Sequence, residues 1–152
     1  MLKVHRLITQ LKEKDDFALV NNFYRQFPHT ANNLSRYFHE MLLLDPDVLL
    51  IGEAPGIHGC YLTGVPFTSE KTIKTFKQKH AFFQKGYEIH GMQGERTSTV
   101  MWTGIARLPK PPLLWNIMPL HPYKLNAKGK MQNRTPNRSE IQWGKTICLG
   151  SD

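Results

Sequence analysis

Asp47-Val48-Leu49-Leu50-Ile51-Gly52-Glu53-Ala54-Pro55-Gly56 is the stretch on which the fold turns. Val48 to Ile51 are uniformly apolar, with Pro46 shortly before them and Gly52 directly after. A run that short and that apolar reads as a strand covered on both faces, as in a parallel sheet. Upstream, Leu34, Tyr37, Phe38, Met41 and Leu42 recur at i, i+3, i+4, i+7 and i+8. That spacing paints one apolar face on a helix, with Asn32 or Asn33 as its N-cap and Pro46 as its stop. Downstream, Gly56, Gly59 and Gly64 break the chain into a long loop. Ser69 then caps a helix through Ile73 and Phe76 whose exposed side carries Lys71, Lys74, Lys77 and Lys79.

A polar stretch follows from Gly86 to Arg96. Beyond it Thr97 or Ser98 caps a helix that buries Val100, Met101, Trp102, Ile105 and Leu108 and ends before Pro109. Leu113 to Met118 is the second strand candidate, and Phe17, Val20, Phe23, Tyr24 and Phe27 suggest one or two further helices covering the sheet. Helix, strand, loop, helix, helix, strand is the alternation of a doubly wound α/β domain. The expected fold is a three-layer α/β/α arrangement around a small central parallel sheet, as one domain over residues 1–152. Ligands in such sheets bind beyond the carboxyl ends of the strands. Chemistry is therefore expected on Gly52 to Ser69 and on Asn116 to Arg138.

Composition narrows the class. With 152 residues, 40% hydrophobic and 11% aromatic, the chain has material for one core and is neither disordered nor collagenous. Apolar runs as short as Val48 to Ile51 cannot cross a bilayer, and Met1-Leu2-Lys3-Val4-His5-Arg6 lacks the apolar stretch of a secretory signal, so a cytoplasmic chain without a membrane partner is expected. Cys60 and Cys148 cannot build a disulfide framework, and neither belongs to a C-x-x-C pair that would hold zinc or an iron–sulfur cluster. They read as plain thiols. No G-x-x-x-x-G-K-[ST] or G-x-G-x-x-G is present, so nucleotide hydrolysis and dinucleotide binding have no support. His58-x-Cys60 lacks the partners of a zinc deaminase, and His39-Glu40 lacks H-E-x-x-H spacing.

The net charge of +8 is unevenly spread. Residues 1–70 hold six Lys/Arg against eight Asp/Glu, whereas residues 71–152 hold fourteen against four. A basic second half points to a polyanion, because each neutralised phosphate releases counterions and adds affinity independent of sequence.

Three crevice residues have two readings each. Glu53 directly follows the strand, between Gly52 and Pro55, and is either an N-cap or a base poised over water. Phe67, on a loop between Pro66 and Thr68, is either a core plug or a ring on which a planar ligand stacks. Asn116 either ties down local backbone or reads the edge of a base, as amides do bidentately. His121, between Leu120 and Pro122, has the ordinary reading of a structural donor.

Four segments taken together resemble the uracil-DNA glycosylase superfamily: Leu49 to Gly56, Gly64-Val65-Pro66-Phe67, Asn116-Ile117-Met118-Pro119-Leu120-His121-Pro122 and Asn133-Arg134-Thr135-Pro136. They stand in the family's order, and the resemblance covers roughly residues 34–145. The most similar pattern is the bacterial branch with G-E-A-P-G after its first strand, and Gly56 to Glu70 follows that branch's G-x-x-G-C-x-L-T-G-x-P-F-T-S-E. The resemblance implies a base-excision repair enzyme that flips uracil out of DNA and hydrolyses its N-glycosidic bond. Glu53 would orient the attacking water, Phe67 stack on the base and Asn116 read its edge, with backbone of Gly52, Ala54 and Pro55 lining the pocket. Lys124, Lys128, Lys130, Arg134 and Arg138, in a Gly- and Asn-containing loop, would grip phosphates. It also implies a monomer in the bacterial cytosol or nucleoid that acts on uracil-containing DNA without metal or cofactor, two cysteines being too few for a cluster. Superfamily members continue into a further strand, a helix and a late His-containing motif, a position that His121 does not fill. The expected domain is thus incomplete at its C-terminus, and a non-catalytic remnant or DNA-binding module of the same fold is the alternative. Thr146 to Leu149 reads either as a strand remnant or as a helix.

Overall fold

The computed structural model describes residues 2–15, 17–79, 82–84 and 86–149. The first half runs α1 (Leu2–Glu13), β1 (Val20–Asn21), α2 (Phe23–Gln26), α3 (Pro28–Leu43), β2 (Leu49–Gly52), α4 (Cys60–Thr63) and α5 (Glu70–Lys79). The second half runs α6 (Arg96–Ile105), β3 (Leu113–Asn116), β4 (His121–Leu125), β5 (Met131–Asn133) and α7 (Arg138–Leu149). β2 and β3 lie parallel, with Leu49 opposite Leu113 and Gly52 opposite Asn116. β1, β4 and β5 make a separate antiparallel sheet with β4 in the middle.

The α/β class expected from the sequence is the one observed, and the two predicted strands pair with each other. Side chains alternate between the faces of a strand, so Leu50 and Leu114 share one face of the pair while Ile51 and Trp115 share the other. Trp115 packs on Phe38 of α3, ring centroids 5.7 Å apart. Leu50 faces Val100, Met101 and Ile105 of α6 across an apolar groove. Helices thus lie on both faces, in three layers, with β3 buried between them and β2 left largely open. Tyr37 of α3 also closes the outer edge of β3, its hydroxyl accepting from the Leu114 N–H at 2.7 Å.

Several expectations are corrected. Val48, Leu49, Leu50 and Ile51 are 55, 45, 38 and 51% exposed rather than buried. β3 takes one edge of β2, and among the described residues no strand takes the other. Apolarity shows that a strand suits cover; it does not supply the cover. α3 starts at Pro28 rather than near Asn32, because proline, lacking an N–H, fits the first helical position. Asn33 is instead a buried clamp: its Nδ2 donates to the carbonyls of Thr63 at 2.9 Å and Glu88 at 2.8 Å, and its Oδ1 accepts from the Glu88 N–H at 2.9 Å. Leu42 is exposed.

Ser69 caps α5 as expected, its Oγ accepting from the Thr72 N–H at 3.2 Å. Lys71 and Lys74 are exposed, whereas the Lys77 and Lys79 side chains lie outside the described part of the structure. The N-cap position of α6 falls on Glu95 rather than on Thr97 or Ser98, and the Glu95 side chain makes no capping hydrogen bond there. Ser98 points inward, accepting from the Ser69 N–H at 2.9 Å. Trp102 and Ile105 are buried, but Val100 and Leu108 are exposed beside the open side of β2. Val20 belongs to a strand, not a helix.

The Gly- and Asn-containing stretch that carries Lys124, Lys128 and Lys130, expected to be a loop, belongs to the β4–β5 hairpin. Asn126 heads its turn, with Oδ1 accepting from the N–H groups of Lys128 at 2.9 Å and Lys130 at 3.0 Å, and Gly129 takes φ +71°. Thr146 to Leu149 is the last turn of α7. That helix opens on a capping box in which Asn137 Oδ1 accepts from the Glu140 N–H at 3.0 Å and the Glu140 carboxylate accepts from the Asn137 N–H at 2.8 Å. Among the described residues no helix is long and apolar enough to cross a membrane.

Candidate active site

The parallel register puts Gly52 directly beside Asn116 at the carboxyl ends of β2 and β3. Beyond that point the two segments stay zipped: the Ile117 N–H donates to Gly52 O at 2.8 Å and the Met118 N–H to Glu53 O at 3.0 Å. Gly52 carries no side chain, and the space is already taken. A Cβ there would run into the Phe67 ring and stand 2.8 Å from Asn116 Oδ1. Gly52 is therefore the floor on which ring and carboxamide both rest.

A cavity of about 330 Å³ opens over this floor, lined by Glu53, Ala54, Pro55, Phe67 and Asn116 together with His58, Glu95 and Asn133. Its size sits at the lower end of the range of roughly 300–1,000 Å³ typical of small-molecule sites. The two loops that the sequence marked for chemistry thus meet in one pocket.

Phe67 is half-buried, with its backbone in the left-handed region at φ 56°. For a non-glycine residue that conformation costs on the order of 1–3 kcal/mol and persists only where the surroundings enforce it. They do so here through Thr68. Its hydroxyl donates to Pro66 O at 2.8 Å and accepts from Trp102 Nε1 at 2.9 Å, while Thr63 Oγ1 donates to Thr68 O at 2.7 Å. The ring packs against the core and also faces the cavity.

Asn116 is only 4% exposed, yet no described group hydrogen-bonds its carboxamide, which opens to the cavity. It does not tie down local backbone. A buried amide without a protein partner is costly unless water or a ligand satisfies it. Glu53 is not an N-cap, because the next helix starts at Cys60 with Gly59 as its cap. Nor does it end the covered strand that the apolar run implied. The residue is exposed at the cavity mouth, and no described group holds its carboxylate. The open edge of β2 leaves that strand end in water.

Glu95, His58 and Asn133 belong to the pocket and were not singled out from the sequence. The Glu95 carboxyl lies over two glycines: a Cβ at Gly59 would meet both its oxygens at 2.8 Å, and one at Gly56 would also strike it. Desolvation there pushes the Glu95 pKa up, against a smaller downward pull from His58. Asn133 Oδ1 accepts from the Ile57 N–H at 2.9 Å, tying β5 to the pocket loop, and lies 3.0 Å from His121 Nε2. His121 is fully buried, and burial holds its pKa below the ordinary value. The neutral ring donates to Asn133, a structural role. Cys60 lines the pocket as a buried thiol whose pKa burial also raises.

Asn133 connects the pocket to the basic hairpin. Lys124, Lys128 and Lys130 are exposed along that hairpin, and Arg138 is exposed at the start of α7. Arg134 is different. Its Nη2 and Nη1 pair with the buried Glu140 carboxylate at 2.9 and 3.1 Å, and the remaining N–H groups donate to the carbonyls of Tyr123, Thr135 and Leu19. All five guanidinium donors are used inside the fold.

SMUG2 of Pedobacter heparinus has this fold. The two structures superpose with a TM-score of 0.70 over 97% of this chain and 70% of the SMUG2 chain, at 16% sequence identity. SMUG2 is a uracil-DNA glycosylase superfamily member, and at that identity the likeness to it is one of fold. No protein-family model and no curated protein matches the sequence.

Proposed function

We propose that this chain is a DNA glycosylase of the uracil-DNA glycosylase superfamily, related to its bacterial G-E-A-P-G branch, that hydrolyses the N-glycosidic bond of uracil in DNA. The observation that carries the reading is the shared floor at Gly52, where an aromatic ring and an unpartnered carboxamide meet beside a carboxylate at the pocket mouth. A flipped uracil stacks on Phe67. Its O and N–H edge takes the two complementary groups of Asn116, which no described group of the protein occupies.

Cleavage of the bond leaves positive charge on the deoxyribose and negative charge on the base, an oxocarbenium-like state. The Glu53 carboxylate, at the mouth where the sugar would enter, stabilises that cation and orients water toward C1′. The C1′–N1 bond breaks with its electron pair going to uracil. The water oxygen bonds to C1′, and the proton it releases passes to Glu53 or solvent. Asn116 donates to the base as negative charge grows there, the kind of preorganised donor that lowers such a barrier. Lys124, Lys128, Lys130 and Arg138 grip the phosphates that flank the flipped nucleotide; Arg134 builds the hairpin rather than touching DNA.

The test is incubation with a uracil-containing oligonucleotide followed by alkali. The parent chain is expected to give strand breaks at uracil only. Glu53→Gln is expected to lower the rate by about 100-fold or more while leaving DNA affinity in place. Absence of breaks at protein excess would overturn the enzymatic reading in favour of a DNA-binding module of the same fold.

A further inference from the structure

Outside the lining of the pocket over Gly52, His29, Glu88 and His90 bring one ligand atom each to within 4.8 Å of one another. His29 stands in the first turn of α3, and the other two lie on the 86–95 loop. The His29 and His90 rings are tilted against each other with centroids 4.2 Å apart, and His90 Nε2 is 2.7 Å from Glu88 Oε1. We propose that these three side chains form a binding site for a zinc-class divalent cation, with water in the fourth position.

The histidine on α3 is already arranged as a ligand. Its Nε2 lies 2.9 Å from Leu62 O, and because a carbonyl only accepts, that nitrogen carries the proton and Nδ1 is left with the lone pair. Metal-bound histidines are commonly oriented in this way, with the second nitrogen donating to a backbone carbonyl. The loop that supplies the other two ligands is pinned on either side of them. Asn33 holds both backbone groups of Glu88, at 2.8 and 2.9 Å. The Glu70 carboxylate accepts from the N–H groups of His90 at 3.1 Å, Gly91 at 2.9 Å and Gln93 at 3.1 Å. These anchors fix the main chain and leave the Glu88 carboxylate and the His90 ring hydrogen-bonded only to each other among the described residues.

Ligand atoms on tetrahedral zinc stand about 3.3 Å apart, given Zn–ligand distances of roughly 2.0–2.1 Å. The His90–Glu88 pair needs to open slightly and the His29 ring to approach, which side-chain rotations supply without backbone movement. Two imidazoles and one carboxylate suit zinc or its borderline neighbours rather than magnesium or calcium. The metal-free expectation rests on the resemblance and on a cysteine count too low for a cluster, neither of which bears on two histidines and a carboxylate. The E-x-H pair is too short a signal, and its third ligand lies far upstream. A cation here would staple the 86–95 loop to α3, and that loop ends at Glu95 in the pocket.

The test uses the full chain, stripped with chelator and titrated with zinc chloride alone by calorimetry, with Co²⁺ absorption as a second readout of tetrahedral coordination. One ion per chain is expected to bind saturably, to raise the melting temperature and to slow amide exchange in the 86–95 loop. Glu88→Gln and His90→Ala, both at exposed side chains, are each expected to weaken binding at least about tenfold. Failure to saturate at micromolar zinc, or parental affinity in both variants, would overturn the site. The outcome does not depend on glycosylase activity, so it stands or falls apart from the proposed function.

Discussion

Glu95 puts a carboxyl where the protein itself removes water. Its pKa lies above the ordinary 4.5 because desolvation outweighs the pull of His58. The folded chain therefore keeps the proton at pH values where the unfolded chain has lost it. The stability this contributes is complete below about pH 4.5 and is lost as pH rises through the raised value. Glu95→Gln is expected to melt higher than the parent at about pH 7 and alongside it at about pH 4; an equal gap at both would place the effect elsewhere. The sequence showed Glu53, Phe67 and Asn116 because each breaks the pattern of its neighbours, and all three line the cavity. Glu95 gave no such signal, since its contacts are with Gly56 and Gly59 across the loop, a separation that periodicity does not report. Arg134 was legible as a cation, but not as one with every donor engaged, because its carboxylate partner Glu140 is identified only by the turn into α7.

Among the elements, α7 shows how closely the framework of the pocket is packed. Gly144 meets the Ile117 carbonyl just past β3, and a Cβ there would collide with that backbone oxygen. Alanine normally favours a helix over glycine by roughly 1 kcal/mol, but a clash with backbone has nothing flexible to yield. Gly144→Ala is expected to lower stability by about 1–3 kcal/mol, seen as a reduced urea midpoint at unchanged m-value; a gain in stability would show that α7 can shift away. The strands themselves were legible from short apolar runs, and their pairing followed from the α/β alternation. Exposure of β2 was not, because Val48 to Ile51 have the same composition whether or not a neighbour covers them. The β4–β5 hairpin was missed for a different reason: Lys124 to Lys130 lack alternation, and its turn is held by the Asn126 side chain rather than by the commoner Asn-Gly pair.

On the scale of the whole molecule, the charge split becomes spatial. The basic second half supplies the Lys124, Lys128 and Lys130 hairpin, which Asn133 ties to the pocket wall. Each lysine that neutralises a phosphate adds close to one unit to the salt dependence of DNA binding. Replacing all three by alanine is expected to reduce the slope of log K against log salt by about two to three, while leaving the proposed Glu53-dependent cleavage at saturating oligonucleotide in place. An unchanged slope would move the DNA path to another face. The sequence thus showed which half carries the positive charge and left its placement on the surface to the fold.

The central claim is that one pocket holds uracil between the Phe67 ring and the Asn116 carboxamide. Its most direct test is titration of free uracil against ¹⁵N-labelled chain, following the Asn116 side-chain NH₂ resonances. Saturable shifts of those resonances, abolished in Asn116→Ala and absent with thymidine as a bulky control, are the predicted result. Saturable uracil binding that leaves the Asn116 amide unmoved while shifting residues outside the Gly52 floor would contradict the account.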